Sequence, residues 1–147
     1  MNRPQSLRTV EHPTFVTKDE TGAPNGFLVP IFNIHDGVFP GDEGVQQVYL
    51  TTVLPGSRKG PHLHKIRRGW FTCIKGNVRV TVKVNGKYEI YWSGEDNSYR
   101  SIEIPTGVPA LLENDGTETA FVLNMPSPAW TPEMRDEYTA DFSDRDS

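Results

Sequence analysis

The chain has 147 residues, a formal net charge of −4 at pH 7 and an isoelectric point near 5.5. Its length fits one domain, its acidic balance argues against a nucleic-acid-binding protein, and no apolar run approaches the ~18 residues of a membrane span. The one cysteine, Cys73, excludes an intrachain disulfide and is in keeping with a cytoplasmic protein. We therefore expect a single folded domain over residues 1–147 that contacts neither nucleic acid nor membrane.

Short strands are predicted along most of the chain. β-Branched residues are frequent and favour strands, while 13 glycines and 12 prolines divide the sequence into short segments. The composition therefore predicts an all-β sandwich or barrel, with its core over residues 27–126. The expected strands cover residues 27–34, 47–54, 59–65, 70–74, 78–84, 87–92, 101–104, 110–113 and 120–124.

The clearest local signal is a hairpin in the middle of the chain. Valines alternate with polar residues over 78–84, which predicts one buried face. Asn85-Gly86 follows, and this dipeptide favours a two-residue turn between strands. Residues 87–92 then return as the partner strand.

The C-terminal segment carries a helix-start signal. Thr131 suits an N-cap, Pro132 suits the first helical position, and acidic residues follow in the first turn. We therefore expect a short helix over residues 131–138. Residues 143–147 are expected to form a flexible tail.

Two histidines separated by one residue carry most of the chemical information. Side chains at positions i and i+2 of a strand share a face and lie ~6.6 Å apart, so His62 and His64 are expected to project together into the barrel while Leu63 packs on the other side. Paired imidazoles serve as metal ligands or as bases near neutral pH. The other interpretation is two exposed histidines on an edge strand.

The residues around the histidines resemble the cupin family of small jelly-roll β-barrels. Gly56 to His64 is similar to the first cupin motif, a glycine followed five residues later by H-x-H, and Gly76 closes that motif. Pro105-Thr106-Gly107 and Asn114 are similar to the second motif. The resemblance covers residues 45–126 and implies a single jelly-roll barrel.

Two positions depart from the metal-binding cupins. Those proteins take two histidines and a glutamate from the first motif and a further histidine from the second. Here the glutamate slot falls in Ile66–Gly69, which holds no acid, and the second histidine slot is Ala110. A catalytic zinc-type site needs three protein ligands, so we expect neither a metal nor another cofactor.

The resemblance is closer to the cupin branch that acts on nucleotide sugars. Lys59 to Lys65 resembles the R-G-x-H-A-H-K stretch of the dTDP-4-keto-6-deoxyhexose 3,4-ketoisomerases, and the ending Asp136 to Phe142 resembles their closing pattern. The related dTDP-4-dehydrorhamnose 3,5-epimerases place their base histidine at the position of His62. Their catalytic tyrosine falls near Trp130, where this chain has none, and Lys59 replaces the arginine of both families.

The resemblance implies a metal-independent isomerase of a nucleotide-linked 4-keto-6-deoxysugar, working by ketoisomerisation or by epimerisation beside the keto group. His62 is expected to act as the base, His64 as a proton donor or relay, and Tyr49 as a hydrogen-bonding group for the sugar or the enediolate. The cations expected to bind the substrate and its pyrophosphate are Arg58, Lys59, Arg68, Lys75 and Arg79.

Two other functions remain open on the sequence. One is a metal-dependent cupin enzyme, such as a dioxygenase or sugar isomerase, and the other is a non-catalytic barrel that binds a small molecule. Whichever function applies, the resemblance implies a homodimer, since small barrels of the cupin family usually pair through their sheets. Exposed edge strands also need to be covered.

Overall fold

The short strands predicted from composition are present throughout the structure, a computed structural model that describes residues 5–37 and 44–145. In these ranges the regular elements are twelve strands and two single-turn 3-10 helices, Ile34–Asp36 and Glu95–Asn97. The strands are β1 Thr9–Val10, β2 Phe15–Lys18, β3 Pro24–Leu28, β4 Tyr49–Val53, β5 Arg58–Leu63, β6 Gly69–Lys75, β7 Asn77–Val84, β8 Lys87–Gly94, β9 Ser101–Ile104, β10 Ala110–Glu113, β11 Ala120–Asn124 and β12 Tyr138–Thr139.

Two antiparallel five-stranded sheets face each other, as in a cupin-like sandwich. One sheet has the order β1-β9-β6-β11-β4 and the other the order β12-β5-β10-β7-β8. Val78, Val80 and Val82 on β7 are fully buried, and they share the core with residues of the opposite sheet such as Phe71 and Val122. The predicted all-β jelly-roll class is confirmed. None of the described helices is long or apolar enough to cross a membrane.

The central hairpin forms as the sequence predicts. β7 pairs with β8 from Asn77 opposite Gly94 to Val84 opposite Lys87. Asn85 and Gly86 both have positive φ, 51° and 77°, which is the backbone geometry of the turn that matches strand twist.

A second hairpin, β2–β3, stands apart from both large sheets. The strand predicted over residues 27–34 in fact begins at Pro24 and ends at Leu28, and it pairs with β2. Phe15 and Leu28 are opposite each other, as are Val16 and Phe27, and all four side chains are at least half exposed. The first two residues of that predicted strand, Phe27 and Leu28, are thus part of a small sheet outside the main core.

The helix predicted over residues 131–138 is wrong. The segment contains one turn, closed by the amide of Met134 donating to the carbonyl of Thr131, and then β12. Tyr138 and Thr139 pair with Leu63 and His62 of β5. The strand pairing prevents the helix from continuing, because those backbone groups bond to another strand.

Residues 143–145, which belong to the tail expected to be flexible, include side chains that contact the barrel. Asp144 accepts hydrogen bonds from Lys83 Nζ at 3.3 Å and from the Tyr88 hydroxyl, and Arg145 donates to Glu113 at 3.1 Å. Residues 146 and 147 of that predicted tail lie outside the described residues.

Candidate active site

A cavity of about 350 Å³ lies between the two sheets. The first sheet contributes an apolar surface with polar residues of β4 and β11 at its edge. The second sheet contributes the histidine strand β5 and the adjoining β10. The polar side chains that line the cavity are Tyr49, Thr51, Lys59, His62, His64, Arg67, Asn124 and Glu137.

A close approach between β5 and β10 sets the position of His62. Ala110 of β10 lies opposite His62, and the register shifts between Ala110 and Leu112. Gly60 has φ +97°, and a Cβ there would lie 2.7 Å from the Ala110 carbonyl oxygen. Glycine therefore allows the two strands to approach at this point, and the small Ala110 side chain leaves room beside the imidazole.

The two imidazoles project into the same cavity, as the H-x-H spacing predicts. Their ring centroids are 6.2 Å apart. The Oε1 atom of Glu137 lies 3.6 Å from the Nε2 of His62 and 4.0 Å from the Nε2 of His64. These distances exceed a hydrogen bond, so the carboxylate acts on both rings through its charge.

A hydrogen bond makes His64 different from its neighbour. The Arg67 guanidinium donates to the Nε2 of His64 at 2.9 Å, and an imidazole nitrogen that accepts a hydrogen bond carries no proton. Burial, followed by the positive charge of Arg67, lowers the pKa of His64 from its ordinary 6.5. His64 is therefore neutral at pH 7, with its proton on Nδ1.

One buried carboxylate holds the loop from which Arg67 extends. Asp136 accepts hydrogen bonds from the backbone amides of Lys65 at 2.8 Å, Ile66 at 3.0 Å and Arg67 at 3.0 Å. Burial alone would raise the pKa of Asp136, but these amides outweigh it and lower the pKa. The same contact brings the next residue, Glu137, to the cavity.

Tyr49 and Lys59 complete the polar wall. Burial raises the pKa of Tyr49, with the positive charge of Arg67 opposing that rise, so the phenol is protonated at neutral pH and can donate a hydrogen bond. The Nζ of Lys59 donates to the Oγ1 of Thr51 at 2.7 Å. The Lys59 side chain thus extends from β5 to β4 across the cavity. Of the five cations predicted to bind the substrate, Lys59 is the one that lines the cavity.

The other four predicted cations lie outside the cavity lining. Arg68 pairs with Glu103, and Lys75 at the end of β6 lies 3.6 Å from Glu118. Arg79 alternates with the buried valines of β7 and faces away from the core. It pairs with Glu113 and Asp115 at 3.2 and 3.1 Å and stacks on the Trp92 ring. Arg58, at the start of β5, is exposed.

The donor set does not resemble a metal centre. Ala110 provides a methyl group opposite His62, and a guanidinium occupies the Nε2 of His64. Across residues 5–37 and 44–145, no three His, Cys, Asp or Glu side chains are grouped as a metal site requires.

The family model described as "FdtA: WxcM-like, C-terminal" matches residues 42–145, which include every polar residue of the cavity. The chain belongs to this family. No curated protein sequence matches it.

Solved structures of sugar-modifying enzymes share the fold of this WxcM-like chain. A dTDP sugar isomerase from Desulfovibrio desulfuricans G20 has a TM-score of 0.77 at 17% identity, over 93% of this chain and 85% of that one. The 3'-monoepimerase ChmJ from Streptomyces bikiniensis, in complex with dTDP-quinovose, has a TM-score of 0.74 at 18% identity, over 99% and 76%. The sugar 3,4-ketoisomerase QdtA from Thermoanaerobacterium thermosaccharolyticum, in complex with TDP, has a TM-score of 0.67 at 18% identity, over 91% and 88%.

Four polar residues of this WxcM-like cavity have no role in the sequence-based prediction: Thr51, Arg67, Asn124 and Glu137. Arg67 is next to the predicted Arg68, but the alternation of β5 continued from His62 and His64 would favour Arg68; Arg67 reaches the cavity because Asp136 bonds to the 65–67 loop and ends the strand pattern there. Glu137 reaches the cavity only because β12 pairs with β5, some 75 residues away in sequence. Asn124 ends β11, where nothing in the local sequence separates it from an ordinary strand residue.

Proposed function

We propose that the chain is a metal-independent isomerase of a nucleotide-linked 4-keto-6-deoxysugar, acting by ketoisomerisation or by epimerisation beside the keto group. The observation that carries this proposal is the pair of imidazoles in one cavity, His62 beside a carboxylate and His64 beside a guanidinium. Two titratable groups in opposite electrostatic settings are typical of acid–base sites. The enzymes named above that share the fold modify dTDP-linked sugars, which supports this substrate class.

In this mechanism His62 removes the proton from the carbon next to the ketone. The imidazolium that forms lies 3.6 Å from the Glu137 carboxylate, which stabilises its charge. The electrons move into the carbonyl and give an enolate, which the protonated Tyr49 stabilises by donating a hydrogen bond. In a ketoisomerisation the proton of the C3 hydroxyl moves to the C4 oxygen and His62 returns its proton to C4, so that C3 becomes the ketone and His62 is neutral again. In an epimerisation a proton from solvent is added to the opposite face of the same carbon, and His62 releases its proton to solvent.

His64 has a supporting role in this scheme. Its Nε2 is bonded to Arg67, so it cannot deliver a proton from that atom, and we assign the proton transfers to His62 instead of giving His64 the expected part of donor or relay. We propose that the Arg67–His64 pair places positive charge beside the developing enolate oxygen. Lys59 is the predicted cation in the best position to contact the substrate.

The proposal includes a homodimer in the cytoplasm. The β2–β3 hairpin has exposed apolar side chains on both faces, including Phe15 and Val16, and an isolated two-stranded hairpin is marginal in water. A second copy of the chain is the occupant that would cover these faces and the exposed edge at β4, where Leu50 is half exposed. A nucleotide-sugar substrate and the free Cys73 fit a reducing compartment.

The direct test is turnover of nucleotide-linked 4-keto-6-deoxyhexoses by protein treated with a chelator, with products identified by NMR. We expect conversion to the 3-keto isomer or to an epimer at a carbon beside the ketone, and a loss of about 10²–10⁴-fold in His62→Asn. Lys87→Gln, on the exposed turn side of β8, is the matched control and should retain activity. An untreated enzyme that works while the chelated one does not would support the metal-dependent alternative, and binding without conversion would support the non-catalytic one.

A further inference from the structure

Two asparagines of the barrel differ sharply in their hydrogen bonding. Asn114, which belongs to the second cupin-like motif, is buried and fully bonded. Its Nδ2 donates to the carbonyls of Val53 at 2.9 Å and Glu118 at 2.7 Å, and its Oδ1 accepts from the amide of Gly116 at 2.9 Å. Asn114 therefore has a structural role, since it ties together the loops at the ends of β4 and β10.

Asn124 has the opposite character. It ends β11, lines the cavity and has a buried Oδ1 without a hydrogen-bond partner. No described residue bonds to its Nδ2 either. A buried amide left unbonded costs about 1–3 kcal/mol relative to a bonded one, and native proteins keep few such groups without a reason.

The position of Asn124 indicates which part of a bound sugar its carboxamide would contact. In the first sheet Asn124 lies opposite Tyr49 on one side and Phe71 on the other, and all three line the cavity. His62 extends from the second sheet, which forms the facing wall. A sugar ring held between the two walls would therefore have the base on one side and the carboxamide on the other.

We propose that Asn124 recognises the hydroxyketone of the sugar ring. A carboxamide offers a donor and an acceptor side by side. A ketone with a hydroxyl on the next carbon presents the complementary acceptor and donor. Nδ2 donates to the keto oxygen, and Oδ1 accepts from the neighbouring hydroxyl. This inference rests on the proposed function and adds the residue that selects the reacting part of the substrate.

The test is Asn124→Leu, which keeps the approximate shape and removes the polar atoms. Replacing an unbonded buried amide by an apolar group of similar shape is nearly neutral or stabilising, so we expect an unchanged or higher Tm. Binding of dTDP, which lacks the sugar, should be unchanged. Binding of a dTDP-linked 4-keto-6-deoxyhexose, measured in a His62→Asn background to prevent turnover, should weaken by about 10–100-fold.

Asn114→Leu is the matched control, because the same exchange there breaks three hydrogen bonds and should lower the Tm. Asn124→Ala provides a second variant should leucine not fit. A Tm of Asn124→Leu that falls as far as that of Asn114→Leu, or an affinity for the keto sugar that stays at the level of the His62→Asn parent, overturns the inference. If the unsubstituted protein itself neither binds nor converts the nucleotide sugar, the proposed function fails, and the inference fails with it.

Discussion

Arg67 donates a hydrogen bond to the Nε2 of His64 at 2.9 Å, across one turn of the loop that follows the histidine strand. This bond gives the two histidines of one H-x-H motif different chemistry. His64 is held neutral as an acceptor, whereas His62 faces the Glu137 carboxylate. The asymmetry leaves His62 as the ring that can gain a proton during a reaction.

Removal of the guanidinium should raise the pKa of His64. Burial is the largest cause of its lowered pKa and remains in Arg67→Gln, but the positive charge beside Nε2 is lost. NMR titration of the imidazole Cε1 proton measures the change directly. Arg58→Gln is the control: it removes an exposed cation at the start of β5, outside the cavity, and should leave the pKa of His64 unchanged. A midpoint for His64 that is the same in both variants would contradict the assigned role of Arg67.

The lowered pKa of His64 also determines how the free energy of unfolding changes with pH. Because the folded pKa of His64 lies below the ordinary 6.5, the unfolded chain binds this proton first as the pH falls. The stability that depends on neutral His64 is complete above about pH 6.5 and is lost as the pH falls through the folded pKa. Arg67→Gln should therefore show a weaker fall in unfolding free energy between pH 7 and pH 5 than the wild type.

Asp136→Asn should destabilise the protein at neutral pH by about 2 kcal/mol, because a charged acceptor of three backbone amides is lost. The folded pKa of Asp136 is lowered, so its contribution is present above the unfolded value near 3.8 and disappears as the pH falls through the folded pKa. Urea unfolding at several pH values would show the gap between variant and wild type closing in acid. Asp115→Asn, at an exposed ion pair, is the control with little effect at any pH.

The local pattern of the sequence predicts much of the fold and half of the site. The Asn85-Gly86 turn and the alternating valines of β7 depend only on neighbouring residues, and both are confirmed. The common face of His62 and His64 follows from strand period alone, and the 6.2 Å between their rings agrees with it.

What the sequence misses depends on contacts between distant segments. The capping pattern at Thr131 is a valid local preference, yet the pairing of β12 with β5 and the bonds of Asp136 to the 65–67 loop override it. The same pairing delivers Glu137 to the cavity. Charge alone also suggested Arg79, whereas its strand position directs it to Glu113 outside the cavity. Such tertiary effects cannot be read from spacing.

The exposed β2–β3 hairpin predicts a dimer. Light scattering coupled to size-exclusion chromatography should give about twice the 16.5 kDa of one chain. Phe15→Glu places a charge on an apolar face and should shift the equilibrium toward the monomer. Lys18→Glu alters charge on the same hairpin at a side chain that is already polar, and should leave the dimer intact. A wild type that elutes and scatters as a monomer at micromolar concentration would refute this prediction.

Chelation should leave the activity unchanged. The nitrogen of His64 that would bind a metal already accepts from Arg67, and Ala110 offers no ligand opposite His62. Dialysis against EDTA, followed by metal analysis and an activity assay, tests this expectation. Activity that vanishes and returns with one added divalent metal would show that the cavity binds an ion through other ligands.

The central claim, that His62 takes a proton from the carbon next to the ketone, is tested most directly by hydrogen exchange in D₂O. The wild type should incorporate deuterium into a dTDP-linked 4-keto-6-deoxyhexose at C3, and His62→Asn should abolish that incorporation while still binding dTDP. Incorporation at the wild-type rate in His62→Asn would contradict the account.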